Sequence, residues 1–169
     1  LEASGHDVVI VDTQTDYGVI PQTELGWIMA ERKFLLATPN IYAIDVADRG
    51  GIDYVMRRHR PQTVIHLASF PRQKVVNANP QLGARTMSEG LLNLLESSAT
   101  HGLERFVYVS SSMVYGDFSD QVSEWAHCVP QGQYGILKLA GEWLVYDYHR
   151  RGCFDHCIIR PSAVYLSLI

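Results

Sequence analysis

One stretch near the middle of the chain constrains the fold more than any other. The apolar run Phe106 to Val109 leads directly into three serines, Ser110 to Ser112. Four consecutive apolar residues without a polar interruption are typical of a parallel strand that is buried on both faces. Ligands of open parallel sheets bind beyond the carboxyl ends of the strands. The three serines therefore lie where the chemistry of such a fold is expected.

A tyrosine and a lysine, Tyr134 and Lys138, follow this strand after a loop. They are four residues apart in a segment of helical periodicity, so they share one face of a helix. A free phenol has a pKa of about 10, too high to accept a proton readily at neutral pH, but a neighbouring ammonium lowers it. We predict that Tyr134 is an acid/base, that Lys138 lowers its pKa, and that Ser111 holds the substrate oxygen. The alternative, two surface residues of an amphipathic helix, does not account for the serines at the strand end.

Strand and helix patterns alternate along the whole chain. β-Rich runs at residues 6–12, 40–44, 61–69, 105–110 and 154–160 are separated by helical periodicity at 23–36, 51–60, 81–100 and 133–150. This alternation implies right-handed βαβ units and a parallel sheet with helices on both faces. The prediction is an α/β chain with a doubly wound, Rossmann-like sheet over residues 1–169.

The sequence contains no glycine-rich turn of the kind that holds a pyrophosphate at a helix N-terminus. Its first five residues resemble the last turn of a helix stopped by Gly5. The chain ends shortly after Val164 and Tyr165. We therefore expect a partial NAD-binding domain, a fragment without the first strand, its glycine-rich turn and the C-terminal substrate lobe, and inactive by itself.

Residues at three strand ends are candidates for cofactor binding. Asp12 closes the first strand, where a carboxylate accepts hydrogen bonds from an adenosine ribose and repels a 2′-phosphate, which favours NAD over NADP. Asp45 and Val46 follow the next strand, where the acid would meet the adenine amino group and the valine its ring. Leu67, Ala68 and Ser69 leave the third strand and would let the backbone approach the cofactor closely. Asp12 is equally well explained as a turn former, and we interpret the neighbouring His66 as structural.

Composition and charge exclude several classes of protein. A formal net charge of −4 and a pI near 5.9 argue against binding to a phosphate backbone. No apolar run approaches the ~20 residues that span a membrane, and no signal-peptide pattern opens the chain. The 3 cysteines lack the paired spacing of a zinc site. We expect a reduced, cytoplasmic protein that binds no metal, nucleic acid or membrane.

Taken in order, these motifs resemble the extended short-chain dehydrogenase/reductase superfamily and, within it, the NAD-dependent epimerase/dehydratase family, which includes UDP-glucose and UDP-glucuronate 4-epimerases. The residues that carry the resemblance are Val8 to Asp12, Asp45-Val46, Val64 to Ala68, Ser110 to Gly116, Glu124, Pro130, Tyr134 and Lys138 with Glu142, and Arg160-Pro161 to Tyr165.

The resemblance implies a tightly held NAD, a nucleotide-sugar substrate and a homodimer packed through the helices at 81–100 and 133–150. It implies that Tyr134 is the catalytic base and that Lys138 is its partner, which also contacts the nicotinamide ribose. It selects Ser111 among the three serines and places Pro161 at the cofactor.

Several positions depart from the family pattern. Ser112 and Met113 stand where dehydratases carry an Asp-Glu pair, so loss of water is disfavoured. Met87 replaces an asparagine near the active site, and Ser162-Ala163 replaces an aromatic-Asn pair that touches the sugar diphosphate. Leu166-Ser167 stands in place of Gly-Pro.

On this basis the sequence predicts a nucleotide-sugar epimerase that needs no metal. The sugar C4 hydroxyl is oxidised to a transient ketone, and hydride returns to the opposite face. Two alternatives remain open: an NAD-dependent dehydrogenase or reductase of a sugar or steroid-like substrate, and a dinucleotide-sensing protein that has lost catalysis.

Overall fold

The computed structural model describes residues 1–14, 26–27, 40–70, 73–117 and 121–162. The chain divides into two units, Leu1–Asp45 and Val46–Ile169. The helix predicted at 23–36 lies outside the described residues except for residues 26–27, which are helical. The last seven residues, 163–169, also lie outside them.

The first unit contains a short parallel pair of strands. Strand β1, Ile10–Val11, pairs with β2, Ile41–Tyr42, and each is shorter than the apolar run that predicted it because only two register pairs form. A 3₁₀ turn, Glu2–Ser4, precedes them and ends at Gly5. The φ angle of Gly5 is 82°, a left-handed conformation that favours glycine, so the predicted helix stop is confirmed.

The second unit contains a three-stranded parallel sheet in the order β3-β4-β5. The strands are Thr63–His66, Arg105–Val109 and Asp155–Ile159, and all their pairings are parallel. Helices lie between the strands in the chain, as the alternating pattern predicts. The prediction of an α/β fold with parallel sheets is therefore confirmed.

Helix α1, Arg49–His59, connects β2 to β3. Its N-terminus is capped by Asp48, whose Oδ1 accepts a hydrogen bond from Gly51 N at 3.1 Å. The helix packs against α4, Gly90–His101, through a polar contact at Asp53. Ser97 Oγ lies 3.3 Å and His101 Nε2 lies 2.8 Å from Asp53 Oδ1.

The helical stretch between β3 and β4 is interrupted, so the single helix predicted at 81–100 is wrong in detail. Helix α2 spans Gln73–Ala78 and was not predicted, and α3 spans Pro80–Ala84. A π-helical turn, Arg85–Glu89, then leads into α4. Pro80 lacks an amide hydrogen and is suited to the first turn of a helix, so it separates α2 from α3.

Helix α5, Gly132–Arg150, lies close to β4 and to the segment that follows it because glycines stand at the two contacts. A β-carbon at Gly135 would lie 2.6 Å from the Met113 carbonyl oxygen, and one at Gly141 would collide with the Tyr108 hydroxyl. The close approach brings the first half of α5 to the carboxyl end of β4.

Candidate active site

The carboxyl end of β4 and the first half of α5 bring together the residues predicted to carry the chemistry. Ser111 follows β4, and Tyr134 and Lys138 lie one turn apart on α5. Ser69, which follows β3, joins them. A cluster of two hydroxyls, one phenol and one ammonium thus forms from three separate elements.

The phenol of Tyr134 has an apolar side and a polar side. Its partly buried ring packs against a buried cluster formed by Phe70, Val76 and Met87. Burial raises the pKa of Tyr134, while hydrogen bonding with Ser111 and Ser69 lowers it. Burial prevails in the chain by itself, so the pKa of Tyr134 is raised, and the sequence-based expectation of a lowered value is wrong for this state.

Ser111 is held so that its proton can point to the phenol. It caps a 3₁₀ helix, Ser112–Tyr115, and its Oγ accepts a hydrogen bond from Met113 N at 3.2 Å. Because the amide occupies a lone pair of Oγ, the hydroxyl proton of Ser111 is left to be donated elsewhere. Donation to the Tyr134 oxygen stabilises the phenolate, which agrees with the effect of Ser111 on the pKa of Tyr134.

Lys138 is buried, with only 3% of its surface exposed. Its Nζ donates a hydrogen bond to the Val109 carbonyl oxygen at 2.8 Å. Desolvation by burial lowers the pKa of Lys138 to about 8. The ammonium therefore remains mostly charged at pH 7, in a position fixed by the last residue of β4.

A partly buried ion pair lies next to the site, with the side chain of Glu142 6% exposed and that of Arg160 21% exposed. Glu142, one turn after Lys138, accepts hydrogen bonds from Arg160 Nε at 2.9 Å and Nη2 at 2.6 Å, and a further one from Ser110 Oγ. Arg160 Nη1 also donates to the Tyr115 hydroxyl at 2.9 Å. Hydrogen bonding to Glu142, followed by that to Tyr115, raises the pKa of Arg160.

No role was predicted for this pair from the sequence. Its signal in the sequence was the position of Glu142 four residues after Lys138 and of Arg160 directly after the last strand. The pair ties α5, β4, β5 and the 3₁₀ helix together, so it holds the segment that carries Ser111.

The remaining predicted cofactor residues of the second unit lie at strand ends. Leu67 is exposed, Ala68 is half-buried, and Ser69 Oγ donates to the Phe70 carbonyl oxygen at 3.3 Å. Pro161 follows β5, and its carbonyl oxygen accepts a hydrogen bond from Ser112 N at 3.0 Å. These residues therefore lie where the chain leaves the carboxyl ends of β3 and β5. Their roles in cofactor binding stay predictions.

The other predicted cofactor residues, Asp12, Asp45 and Val46, follow β1 and β2 in the chain. Asp12 is exposed at the end of β1, and its Oδ1 accepts a hydrogen bond from Gln14 N at 2.6 Å. Asp45 is half-buried after β2. Val46 is buried, and its carbonyl oxygen accepts a hydrogen bond from Asn93 Nδ2 at 3.2 Å.

Two kinds of feature are absent from the described residues. They contain no group of three or more His, Cys, Asp or Glu side chains arranged to hold a metal ion. Within the same ranges, none of the helices combines the length and the hydropathy that a membrane crossing requires.

Comparison with known proteins gives consistent matches. Residues 1–168 match the NAD dependent epimerase/dehydratase family. An uncharacterized UDP-glucose epimerase of Bacillus subtilis is 30% identical over 82% of this chain and 42% of its own length. A dTDP-glucose 4,6-dehydratase of Streptomyces niveus is 28% identical over 72% of this chain and 36% of its own length. The chain thus spans about two fifths of the length of these curated relatives.

A solved structure supports the same grouping. The UDP-glucuronic acid 4-epimerase of Bacillus cereus, in complex with UDP-glucuronic acid and NAD, superposes with a TM-score of 0.79 at 25% identity. The match covers 94% of this chain and 49% of that one.

Proposed function

The chain belongs to the NAD-dependent epimerase/dehydratase family, and from that premise we propose that the protein carrying it is an NAD-dependent nucleotide-sugar 4-epimerase. The observation that carries the proposal is the cluster of Ser111, Tyr134 and Lys138. In it, one phenol meets a hydroxyl donor and lies one helical turn from a buried ammonium. The epimerase relatives support the choice of reaction within the family.

Each side chain of the cluster has a chemical role in the proposal. The Tyr134 phenolate accepts the proton of the sugar C4 hydroxyl and later returns it, which is general acid/base catalysis. Ser111 donates a hydrogen bond to the oxygen atoms between which that proton moves. The positive charge of Lys138 favours the phenolate. Bound NAD would supply the hydride acceptor for the sugar carbon and the hydride donor to its opposite face.

The residues present fit the nicotinamide end of this cofactor. An ammonium has three N–H donors, and Val109 takes one from Lys138. The remaining donors of Lys138 are suited to ribose hydroxyls. The exposed carboxylate of Asp12 at the end of β1 is suited to the adenosine ribose, which favours NAD over NADP.

Dehydration is the less favoured reaction within the family. Dehydratases occur among the relatives, but the two residues after Ser111 are Ser112 and Met113, which form the first turn of the 3₁₀ helix. Neither side chain exchanges a proton at neutral pH, so neither can assist the loss of water. A dehydrogenase uses the same three residues and is separated from an epimerase only by its net turnover of NAD.

We also propose a homodimer that forms through the helical stretches at 81–100 and 133–150. Five large apolar side chains on these stretches are exposed in the chain: Leu82, Leu92, Ile136, Trp143 and Tyr146. Sedimentation of the complete protein should give the mass of two chains, and Trp143→Asp should shift it toward one. A single-chain mass in the unsubstituted protein would overturn the dimer.

The test of the reaction uses the full-length gene product with catalytic NAD and a panel of UDP-, dTDP- and GDP-sugars. NMR at C4 and C6 identifies the products, and absorbance records reduced nicotinamide. We expect inversion at C4 without net NADH. Stoichiometric NADH would replace the proposal with a dehydrogenase, and loss of water at C6 with a dehydratase. Bound NAD without any turnover across the panel would favour a dinucleotide-sensing protein.

A further inference from the structure

The ammonium of Lys138 lies over the faces of two tyrosine rings. Its Nζ is 5.3 Å from the ring centroid of Tyr108 and 5.9 Å from that of Tyr134. A cation within about 6 Å of a ring centroid is attracted to the negative face of the ring, and more strongly in a desolvated site. Tyr108 and Lys138 are 1% and 3% exposed, so water weakens this attraction little.

The ring of Tyr108 is held in place by its surroundings. Its hydroxyl donates a long hydrogen bond, 3.5 Å, to the main-chain oxygen of Lys138. Gly141 leaves room for that hydroxyl, because a β-carbon there would collide with it. The ring of His66 stacks on Tyr108 at a centroid distance of 5.9 Å and an interplanar angle of 17°.

We propose that Tyr108 is a positioning residue for Lys138, and that the face of its ring holds the ammonium beside Tyr134. The role rests on the proposed function, in which Lys138 must be charged and next to the phenol. Tyr108 lies in the core of β4 and acts only through Lys138. Neither the sequence motifs nor the family match assigns it this role.

The titratable groups around Lys138 are neutral or paired with other residues, so they do not balance its positive charge. His66 is neutral, because desolvation, followed by repulsion from Lys138, lowers its pKa to about 3. Glu142 on the same helix is paired with Arg160, and burial raises the pKa of Tyr134 and of Tyr108, which keeps both phenols neutral in the chain by itself. Among the described residues, no carboxylate forms an ion pair with Lys138. Ring faces and the Val109 carbonyl are therefore the groups that stabilise its charge.

The decisive experiment changes the electronics of the ring while keeping its volume. Phenylalanine and its mono-, di- and trifluorinated forms are placed at position 108 of the full-length protein, and the ¹³Cε signals of its lysines are titrated by NMR with NAD bound. Lys138→Arg identifies the Lys138 signal. Tyr108→Phe should leave the titration and kcat within about twofold, since it keeps the ring face.

Each added fluorine withdraws charge from the ring face and should lower the Lys138 titration midpoint, by roughly half a pH unit over the series. The alkaline limb of kcat should move by the same amount while KM stays constant. A midpoint that does not change across the fluorinated series would overturn the proposal.

A second pair of variants separates positioning from packing. Tyr108→Leu and Phe106→Leu each remove a buried ring from the same face of β4, but only Tyr108 lies over Lys138. Tyr108→Leu should lower the Lys138 midpoint and reduce kcat about tenfold, whereas Phe106→Leu should leave both unchanged at a similar loss of Tm. Equal shifts of the Lys138 midpoint in the two variants would overturn the proposal. If the Lys138 midpoint shifts as expected in a protein that has no epimerase activity, the positioning role of Tyr108 is supported and the proposed reaction is refuted.

Discussion

The two ends of the three-stranded sheet in the second unit bury different kinds of side chain. At the carboxyl end, Ser110, Lys138 and Glu142 are at most 5% exposed, so a hydroxyl and two charged groups are taken out of water. At the amino end, Phe154 stacks on Phe106 at 5.4 Å and on Tyr148 at 6.2 Å. Burying rings stabilises a fold, whereas burying charges costs free energy. We call the amino end the aromatic end, because its stacked rings stabilise the fold. We call the carboxyl end the chemical end, because it holds the candidate active site.

Helix α5 spans both ends and its sequence differs along its length. Its glycines, Gly132, Gly135 and Gly141, all lie in the part that approaches the active site. A glycine inside a helix costs roughly 0.5–1 kcal/mol relative to alanine. For Gly135 and Gly141, which lie inside the helix, that cost occurs where the helix comes close to Met113 and Tyr108. It is absent where Tyr148 packs on the aromatic rings.

The largest effect is expected from Tyr134→Phe, which removes the phenol oxygen from the chemical end. We predict a fall in kcat of about 10³-fold, since the change removes the acid/base group, with Tm nearly unchanged. The matched control is Tyr148→Phe on the same helix, which also loses a hydroxyl that donates to a carboxylate, that of Glu96. Equal losses of kcat in both variants, measured with saturating NAD, would contradict the division between the ends.

Phe154→Ala should have the converse effect at the aromatic end. Phe154 is 6% exposed, and its truncation leaves a cavity between Phe106 and Tyr148. We predict a loss of about 4 kcal/mol in the free energy of unfolding, measured with urea. The kcat of the folded fraction should stay within about twofold, and a loss comparable to that of Tyr134→Phe would mean that the two ends are coupled.

The fold and the grouping of the candidate site residues were predictable because each has a local signature. The alternation of apolar runs with helical periodicity predicted the parallel α/β fold, and the structure confirms it. Membership of the epimerase/dehydratase family, and with it NAD dependence at the level of the family, is confirmed by the family match. The four-residue spacing of Tyr134 and Lys138 placed them correctly on one helix.

Features that depend on distant contacts were missed. The π-helical turn at 85–89 contains Met87, which packs in the apolar cluster against Tyr134, and no local pattern signals that packing. The predicted direction of the pKa shift of Tyr134 was also wrong for the chain by itself, because burial by residues far away in the sequence raises this pKa. The pairing of Glu142 with Arg160 spans 18 residues and depends on how α5 lies on the sheet.

Glu142→Gln tests how much the ion pair of Glu142 with Arg160, at the chemical end, contributes to stability. Removing the buried carboxylate leaves the charge of Arg160 uncompensated, and because Arg160 is only partly buried we predict a loss of about 3 kcal/mol in unfolding free energy, at the lower end for such pairs. The control is Glu89→Gln, whose pair with Arg85 at 4.0 Å is exposed and should contribute at most about 0.5 kcal/mol. Similar losses in both variants would show that burial does not set the value of these pairs.

The smallest effect concerns the lysine itself and depends on pH. Burial lowers the pKa of Lys138 from its usual 10.5 to about 8. Between these two values the unfolded chain binds the lysine proton and the folded chain does not, so the free energy of unfolding rises with pH. Below pH 8 the folded protein bears the full cost of a buried charge. Lys138→Met keeps the aliphatic stem without that charge and should be about 2 kcal/mol more stable at pH 7.

The advantage of Lys138→Met over the unsubstituted protein should shrink as pH rises from 8 and be nearly lost by about pH 10. Burial raises the pKa of Tyr134 and of Tyr108, but both proteins carry these tyrosines, so their titration cancels in the difference between the two unfolding free energies. Lys74→Met, on the exposed side of α2, should show no such trend in urea unfolding at pH 7 and 9.5. If the unsubstituted protein proved more stable at pH 7, the ring faces and the Val109 carbonyl would outweigh the desolvation of Lys138. The chemical end of the sheet would then stabilise the fold as the aromatic end does.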